Sequence, residues 1–402
     1  MKSFEEASSI IKNVFNRLKP ETEPIELIEA LHRTLAENVI ADVDLPPFDN
    51  SAMDGIAIKF DENIKEWKIV GEIAAGKFSS FNLDANSAVS IMTGSRLPDF
   101  CDTVIPIEDI ELVGNFANLK SNVILKKGIN IRKKGSDLRK ESIAIPEYTY
   151  LLPKHLATAA SCGYAKLNVL KKLKVGVIAT GDELIPVGKK PEGDKIRISN
   201  SYSLLSSVAE LNMIPVNLGV VKDDKNLLKK SIKNALDDKL DILITTGGVS
   251  VGKFDYVKDV FEGLGVEIKF WKAYIKPGKP VVFGIYDKSE RPTLVFGLPG
   301  NPVSSLVNFE IFIRENINQL FHQPKRSRVK AILKNDLKKK DKKRHFMRGI
   351  LSKVDNENYE VSSQFSQSSG NLVEMSRANC LIVVEEEILN PKKGMTVECI
   401  MI

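Results

Sequence analysis

A short strand that ends in two glycines and leads into a helix most constrains the fold of this chain; it lies at 241–256. The apolar run 242–244, followed by two threonines, predicts a buried strand. Gly247 and Gly248 end it, and paired glycines let a ligand approach main-chain N–H groups closely. Asp255 follows, just before an apolar pattern of helical spacing. In a parallel sheet such a strand end opens onto a ligand crevice, although an ordinary tight turn explains the two glycines alone equally well.

The same alternation of strand and helix patterns extends over residues 172–321. It predicts a mostly parallel sheet with helices on both faces and right-handed crossovers. The predicted strands are 174–179, 214–221, 241–246, 266–270, 281–286 and 293–296, and the predicted helices are 201–211, 225–236, 256–264 and 302–320.

The rest of the chain predicts three further domains. Residues 1–45 and 146–171 predict a helical linking domain, and 46–145 an inserted small β domain whose short strands are punctuated by turns. The α/β domain occupies 172–323, and a C-terminal β domain occupies 324–402. In the two N-terminal domains, helices are expected at 1–18, 25–36 and 151–163, and strands at 67–70, 88–92, 103–107 and 122–125.

Composition narrows the class of protein. The chain has 402 residues, 43% hydrophobic and 27% charged, which is ordinary for a globular protein. Its net charge of +6 favours anionic ligands but is too small to indicate nucleic-acid binding by itself. Its four cysteines form no C-x-x-C pair, which argues against a disulfide framework or a zinc site. The first residues lack an apolar signal core, so a cytoplasmic protein without a membrane span is expected.

Acidic residues follow three of the predicted strands of the α/β domain. They are Asp182 and Glu183, Asp223 and Asp224, and Asp255. In a doubly wound sheet these strand ends lie at one edge and face one crevice. Mg²⁺ usually binds one or two carboxylates together with substrate phosphate oxygens. A magnesium site beside a phosphate-bearing ligand is therefore expected at this edge.

Two further segments favour an anion. The last strand leads into 297–302, where Asn301 suits a helix N-cap and Pro302 the first helical turn, so free N–H groups would point outwards. The segment 271–280 carries three lysines and two prolines and would form a fixed cationic patch, unless its lysines are simply exposed surface residues. The residues alone thus predict a phosphate-bearing, nucleotide-like ligand.

Six motifs, in order and over nearly the whole chain, resemble the molybdopterin molybdenumtransferase family, the MoeA and gephyrin type. They are Asp-Asn-Ser-Ala-Met-Asp-Gly at 49–55, Ile-Met-Thr-Gly at 91–94, Thr-Gly-Asp-Glu-Leu at 180–184, Thr-Gly-Gly-Val-Ser-Val-Gly at 246–252 with Asp-Tyr at 255–256, Ile-Lys-Pro-Gly-Lys-Pro at 275–280, and Gly-Leu-Pro-Gly-Asn-Pro-Val-Ser at 297–304. The sequence departs from the usual family pattern at Ile56, Ser90 and Ser95.

The resemblance implies a multidomain α/β plus β fold: a MoaB-like three-layer α/β domain with a mostly parallel sheet, a helical N-terminal domain, an inserted small β domain and a C-terminal β domain. It implies an elongated homodimer. It also implies a reaction, in which adenylylated molybdopterin and molybdate give molybdenum cofactor and AMP with the help of Mg²⁺. The expected partners are a second copy of the chain, the pterin nucleotide, the molybdopterin adenylyltransferase and molybdoenzyme maturation proteins, with neither nucleic acid nor membrane.

Site residues are carried over onto the matching positions. The expected catalytic residues are Asp54, Thr93, Asp137, Glu183, Asp223, Asp255, Lys272 and Lys276, and the expected metal ligands are Glu183, Asp223 and Asp255. The expected cofactor-binding residues are Thr180, Gly181, Gly247, Gly248, Ser250, Gly252, Lys279, Pro299, Gly300, Asn301, Pro302 and Ser304. The first three catalytic residues lie in the inserted β domain, and a cleft closed by the partner subunit would bring them to the α/β domain.

Two other classes of function compete with the enzyme. A scaffold protein that keeps the fold would need linker and partner modules, and this chain has none. A nucleic-acid binder is suggested only by the lysine-rich run 338–344, which more often marks a solvated edge strand. It would bind with a strong dependence on salt concentration, whereas the enzyme would release AMP in the presence of molybdate.

Overall fold

The computed structural model describes residues 1–76, 80–248, 256–288, 291–355, 358–363 and 366–402. The chain divides into two compact units. The large unit comprises Met1–Glu23, His32–Thr34 and Val169–Ile402, and the small unit comprises Pro24–Leu31 and Leu35–Asn168. No helix in the described part of the chain is both long and apolar enough to cross a membrane.

Elements are numbered in chain order. In the described ranges the α-helices are α1 (Phe4–Phe15), α2 (Pro153–Ser161), α3 (Asn200–Glu210), α4 (Lys225–Asp237), α5 (Val257–Leu264), α6 (Pro302–Asn308), α7 (Glu315–Leu320) and α8 (Leu372–Arg377). The strands are β1 (Thr22–Glu26), β2 (Val39–Ile40), β3 (Asn50–Ser51), β4 (Gly55–Ile58), β5 (Glu66–Ile73), β6 (Ser87–Ile91), β7 (Thr103–Pro106), β8 (Ile110–Val113), β9 (Phe116–Leu119), β10 (Ile131–Arg132), β11 (Ile143–Ile145), β12 (Lys166–Leu170), β13 (Lys174–Thr180), β14 (Leu184–Ile185), β15 (Ile196–Arg197), β16 (Ile214–Val221), β17 (Ile242–Thr246), β18 (Glu267–Lys272), β19 (Ile275–Lys276), β20 (Pro280–Tyr286), β21 (Thr293–Leu298), β22 (Arg328–Leu333), β23 (Arg344–Lys353), β24 (Tyr359–Ser362), β25 (Cys380–Val384) and β26 (Thr396–Met401).

The α/β part of the large unit is built on a six-stranded sheet of order β16-β13-β17-β21-β20-β18. The first four strands run parallel to one another. At one edge of the sheet, β20 runs antiparallel to β21, and β18 runs antiparallel to β20. Every residue of β17 is buried, as expected for a parallel strand covered on both faces. Helices α4 and α5 contact each other, as do α3 and α6. Leu228 of α4 and Phe261 of α5 belong to the same hydrophobic core as Leu243 and Val295 of the sheet. The predicted mostly parallel sheet is confirmed.

The long helix predicted at 302–320 is present, but its middle is a π-helix, Phe309–Arg314, between α6 and α7. The C-terminal strands close a barrel, because β23 pairs with both β24 and β25 while β22 and β26 complete the ring. Strand β19 adds to β23 at Ile275 and Lys276, so the lysine-bearing segment pairs with the C-terminal sheet. The C-terminal β domain is confirmed.

The small unit contains a six-stranded sheet of order β7-β4-β6-β5-β9-β8 around a core that includes Ile56 and Trp67. This sheet is the predicted small β module. The strand predicted at 122–125 is wrong. Val123 N–H instead closes a turn on the carbonyl of Lys120, and Ile124 is 86% exposed. No strand among the described residues pairs with 122–125, so these residues do not form a ladder.

The helix predicted at 25–36 is also wrong. That stretch begins in β1, which pairs with β12, and continues as a short 3₁₀ helix at Leu27–Ala30. The N–H of Leu27 donates to the carbonyl of Ala165 at 2.8 Å. Strand pairing supplies the backbone with partners that a helix would otherwise provide, so tertiary context overrides the helical periodicity.

Candidate active site

The carboxyl ends of the four parallel strands lie side by side at one edge of the sheet. Gly181, after β13, donates its N–H to the carbonyl of Val221 at the end of β16, at 3.2 Å. Gly247, after β17, donates to the carbonyl of Leu298 at the end of β21, at 3.0 Å. These bonds join the loop after β13 to the end of β16 and the loop after β17 to the end of β21, so the four strand ends lie in two hydrogen-bonded pairs.

Two glycines of these loops hold conformations that other residues rarely adopt. Gly247 has φ of +100°, and a Cβ on it would lie 2.6 Å from both the carbonyl oxygen and Oγ1 of Thr180. Gly248 has φ of +62°, and its own Cβ would lie 3.0 Å from Val257. A side chain at Gly247 would clash with backbone as well as strain φ. Gly300 lies close by, since its Cβ would meet the Cα of Gly247 at 3.7 Å.

A cavity of about 590 Å³ opens at this edge. That volume falls within the range of small-molecule sites. Its lining includes predicted site residues from two of the loops, Thr180 and Glu183 after β13 and Gly300, Asn301 and Pro302 after β21, and also Thr246 at the end of β17. It also includes Arg197, Ile198, Ser199 and Asn200, as well as Gly370 and Leu372 from the C-terminal part.

Asn200, the first residue of α3, lines the cavity and holds two of its segments together, and it is not among the site residues predicted from the sequence. Its Nδ2 donates to Oγ1 of Thr246 at 2.7 Å and to the carbonyl of Gly300 at 2.8 Å. Its Oδ1 is buried and has no hydrogen-bond partner among the described residues. Thr246 Oγ1 in turn donates to the carbonyl of Pro299 at 3.3 Å. Asn200 therefore links the end of β17 to the β21 loop and keeps one buried amide oxygen without a hydrogen-bond partner among the described residues. The run Ser199-Asn200-Ser201 at a helix start was the available signal.

A second missed residue is Arg348, which is 1% exposed. Its guanidinium donates to the carbonyls of Ser366, Ser368 and Asn371, at 2.5, 3.0 and 2.9 Å. The polar loop 366–371 is thereby held in place. The carbonyl of Ser369 accepts the N–H of Val303, in the first turn of α6, at 3.1 Å.

This contact changes the expectation for the start of α6. Asn301 stands at the N-cap and Pro302 at the first turn, as predicted, but the Asn301 side chain makes no capping bond. One N–H group of the first turn already donates a hydrogen bond to the loop 366–371, so fewer free N–H groups remain to bind an anion. Ser304 is buried, and its carbonyl accepts Nδ2 of Asn308 at 2.9 Å.

The acidic residues of the loops are only partly brought together. Glu183 lines the cavity, and the N–H of Asp223 donates to Oδ1 of Asp182 at 3.4 Å. Asp255, Ser250 and Gly252 lie outside the described residues. Within the ranges described, no three carboxylate, imidazole or thiol side chains group as metal ligands. A cation here would rely on one or two carboxylates and on ligand oxygens, as Mg²⁺ usually does.

The predicted lysines stand apart from this cavity. Lys272 ends β18 and Lys276 belongs to β19, with its Nζ 3.9 Å from Asp341. Lys279 is exposed just before β20. None of the three lines the cavity. The geometry does support a rigid segment, because Gly278 fits against Asn308 where a Cβ would lie 2.1 Å from its Nδ2.

The remaining predicted residues lie in the small unit. Asp54 Oδ1 accepts both the N–H of Thr93, at 2.7 Å, and its hydroxyl, at 2.8 Å. These hydrogen bonds hold the pKa of the Asp54 carboxyl below its ordinary value. Asp137 is exposed and accepts the hydroxyl of Ser136 at 3.2 Å. The first two predicted residues of the small unit are thus brought together.

The parallel sheet, the glycine loops and the cavity at the strand ends define a multidomain α/β protein with a small-molecule site at its sheet edge. Three family models match: the MoeA N-terminal region (domain I and II) at residues 2–163, a probable molybdopterin binding domain at 176–319, and the MoeA C-terminal region (domain IV) at 330–402.

Relatives of known name agree with these matches. The chain is 35% identical over 382 residues to the molybdopterin molybdenumtransferase of Haemophilus influenzae, covering 94% of this chain and 93% of the relative. It is 33% identical over 395 residues to that of Bacillus subtilis, covering 95% and 90%. A solved structure of a molybdopterin biosynthesis MoeA protein from Pyrococcus horikoshii matches with a TM-score of 0.83 at 26% identity, covering 100% of both chains. The chain belongs to the molybdopterin molybdenumtransferase (MoeA) family. The predicted membership, the transferase class and the role in molybdenum cofactor biosynthesis are confirmed.

Proposed function

We propose that this chain converts adenylylated molybdopterin and molybdate into molybdenum cofactor and AMP. The observation that carries the proposal is the cavity of about 590 Å³ at the ends of the parallel strands. It lies in the segment that matches the probable molybdopterin binding domain. Its glycine-lined wall, its carboxylate and its unpaired amide oxygen suit a polar, phosphate-bearing ligand.

The chain's own groups would bind and orient this ligand. Gly300, on the cavity wall, leaves room for it to approach the backbone, because it carries no side chain. Asn200 Oδ1, buried and without a partner among the described residues, would accept an N–H of the ligand. Glu183, on the cavity wall, would face the phosphates only through a cation, since carboxylate and phosphate repel each other.

Mg²⁺, with Glu183, Asp223 and Asp255 as its proposed ligands, would neutralise charge on the pyrophosphate and favour departure of AMP. We further propose that the rigid lysine segment, with Lys272, Lys276 and Lys279, attracts the oxyanion substrate. Asp54, Thr93 and Asp137 are proposed to take part from a cleft that a second copy of the chain completes. Homodimerisation and a cytoplasmic location belong to the same proposal.

The test measures molybdate-dependent AMP release by purified protein supplied with adenylylated molybdopterin and Mg²⁺. Glu183→Gln removes the charge that the site needs, while Glu192→Gln makes the same change at an exposed position outside the cavity lining. Release is expected from the wild type and from Glu192→Gln, and at least about 100-fold less from Glu183→Gln, the usual scale for a group that stabilises transition-state charge. No release by the wild type, with ligand binding intact, would refute the transferase and favour a binding role. Equal release by both variants would remove Glu183 from the site.

A further inference from the structure

A second cavity lies at the other end of the parallel strands, beside the residues with which β13 and β17 begin. It has a volume of about 470 Å³ and is lined by Glu21, Lys171, Lys172, Leu173, Lys174, Lys239, Leu240, Asp241 and Arg291. Lys174 is the first residue of β13, whereas Thr180, at the other end of that strand, lines the first cavity. At about 3.3 Å per residue the two sites are separated by about 20 Å. The second cavity is therefore distinct from the site of the proposed reaction.

Its lining is strongly basic. Five side chains of this lining are cationic and two are acidic, which leaves an excess of three positive charges. A concave surface of one sign focuses the field and attracts small ions of the other sign. Burial, with the nearby charge of Arg33 as a second cause, lowers the pKa of Lys172. This crowding of positive charge would be relieved by an anion.

One cation of the cavity is already fixed in place. Arg291 Nη2 donates to the carbonyl of Lys19 at 2.9 Å, and its Nη1 lies 3.3 Å from Glu21 and 3.8 Å from Asp241. Asp241 is 9% exposed and also accepts the N–H of Lys174 at 2.8 Å. Both acidic residues of the cavity thus orient Arg291. A guanidinium held in this way loses little further freedom when it binds a ligand.

Two other cations are available. Lys174 and Lys239 are exposed, and the described part of the chain offers neither ammonium group a hydrogen bond or an ion pair. Both flank Asp241 in the lining of the cavity. A ligand that carries two phosphate groups would meet both lysines and Arg291 at once through charge-assisted hydrogen bonds.

We infer that this cavity binds a small polyanion with a diphosphate group, either free or as part of a nucleotide. The inference stands independently of the proposed reaction, because no residue of the first cavity takes part in it. A diphosphate fits better than a single carboxylate or phosphate, because the excess of three positive charges exceeds the one negative charge of a carboxylate and the roughly two of a phosphate.

The test titrates the full chain with pyrophosphate by calorimetry, in the absence of divalent cations, and compares two charge-matched double variants. Lys174→Gln with Lys239→Gln removes both free cations of the cavity. Lys229→Gln with Lys230→Gln removes two exposed cations from α4, which do not line it. We expect the first variant to bind about tenfold or more weakly than the wild type, since each lost charged hydrogen bond alone is worth about that factor. The control should bind as the wild type does.

A second arm maps the site and its ligand. Acetylation of lysines, read by mass spectrometry, should be slowed by pyrophosphate at Lys174 and Lys239 and unchanged at Lys229. A parallel titration with adenosine diphosphate distinguishes a nucleotide from the free anion. Whichever of the two ligands binds more tightly shows whether the site prefers a nucleotide or free diphosphate. The inference is overturned if pyrophosphate and adenosine diphosphate both fail to bind at millimolar concentration. It is also overturned if both double variants bind equally, or if protection falls only on lysines outside the lining of this cavity.

Discussion

Replacing Gly247 with alanine would place a methyl carbon 2.6 Å from the carbonyl oxygen and from Oγ1 of Thr180. The φ of Gly247 is +100°, a region that costs an L residue about 1–2 kcal/mol. Overpacking against backbone that cannot move adds about 1–3 kcal/mol. The expected loss of unfolding free energy is therefore about 2–5 kcal/mol, which lowers the unfolding temperature by about 4–15 °C.

Gly300→Ala provides the matched control. Gly300 lies beside Gly247 and lines the cavity, but its added Cβ would meet only the Cα of Gly247, at the ordinary contact distance of 3.7 Å. Its stability should stay within about 0.5 kcal/mol of the wild type. Differential scanning calorimetry of the three proteins measures the difference. Equal unfolding temperatures for Gly247→Ala and Gly300→Ala would refute the claim that the loop needs glycine at 247 for its conformation.

Three further predictions concern the residues around the two sites. Asn200→Ala is expected to destabilise the protein by about 1–3 kcal/mol, because two hydrogen bonds between neighbouring loops are lost; urea unfolding measures this. Arg348→Met is expected to speed amide exchange in the loop 366–371 by at least about tenfold, and hydrogen-exchange mass spectrometry would contradict the role of Arg348 if that loop kept its protection. Thr93→Val should raise the pKa of the Asp54 carboxyl, as read by NMR titration, because the hydroxyl bond is lost. Since that pKa is depressed in the folded protein, the contribution of Asp54 to stability is complete above about pH 4 and falls away as the pH drops through the folded-state pKa; an unchanged pKa in the variant would refute the assignment.

The α/β part of the fold could be predicted because each strand carries its own signal. A run such as 242–246 is apolar and β-branched over its whole length, and it ends at glycines. Chain direction then follows from the alternation with helices, so the convergence of the loops needs no further information. The glycine at 247 was recognisable for the same local reason.

Features that depend on contacts distant in sequence could not be predicted. The stretch 25–36 has helical periodicity, yet its first two residues belong to β1, which pairs with β12 far along the chain. Arg348 looks like one of many basic residues until its guanidinium meets three carbonyls of the loop 366–371. The second cavity likewise gathers Glu21, the lysines after β12 and Arg291 from three separate segments. In each case the determining fact is a pairing that no short pattern encodes.

A structure of the protein bound to adenylylated molybdopterin would show whether the ligand occupies the cavity at the carboxyl ends of β13, β17 and β21. We expect ligand density in contact with Gly300 and within hydrogen-bond distance of Asn200 Oδ1, with the phosphates nearest the side of Glu183. Density that leaves this cavity empty and places the ligand elsewhere on the chain would exclude this cavity as the molybdopterin site, whatever the rate of AMP release.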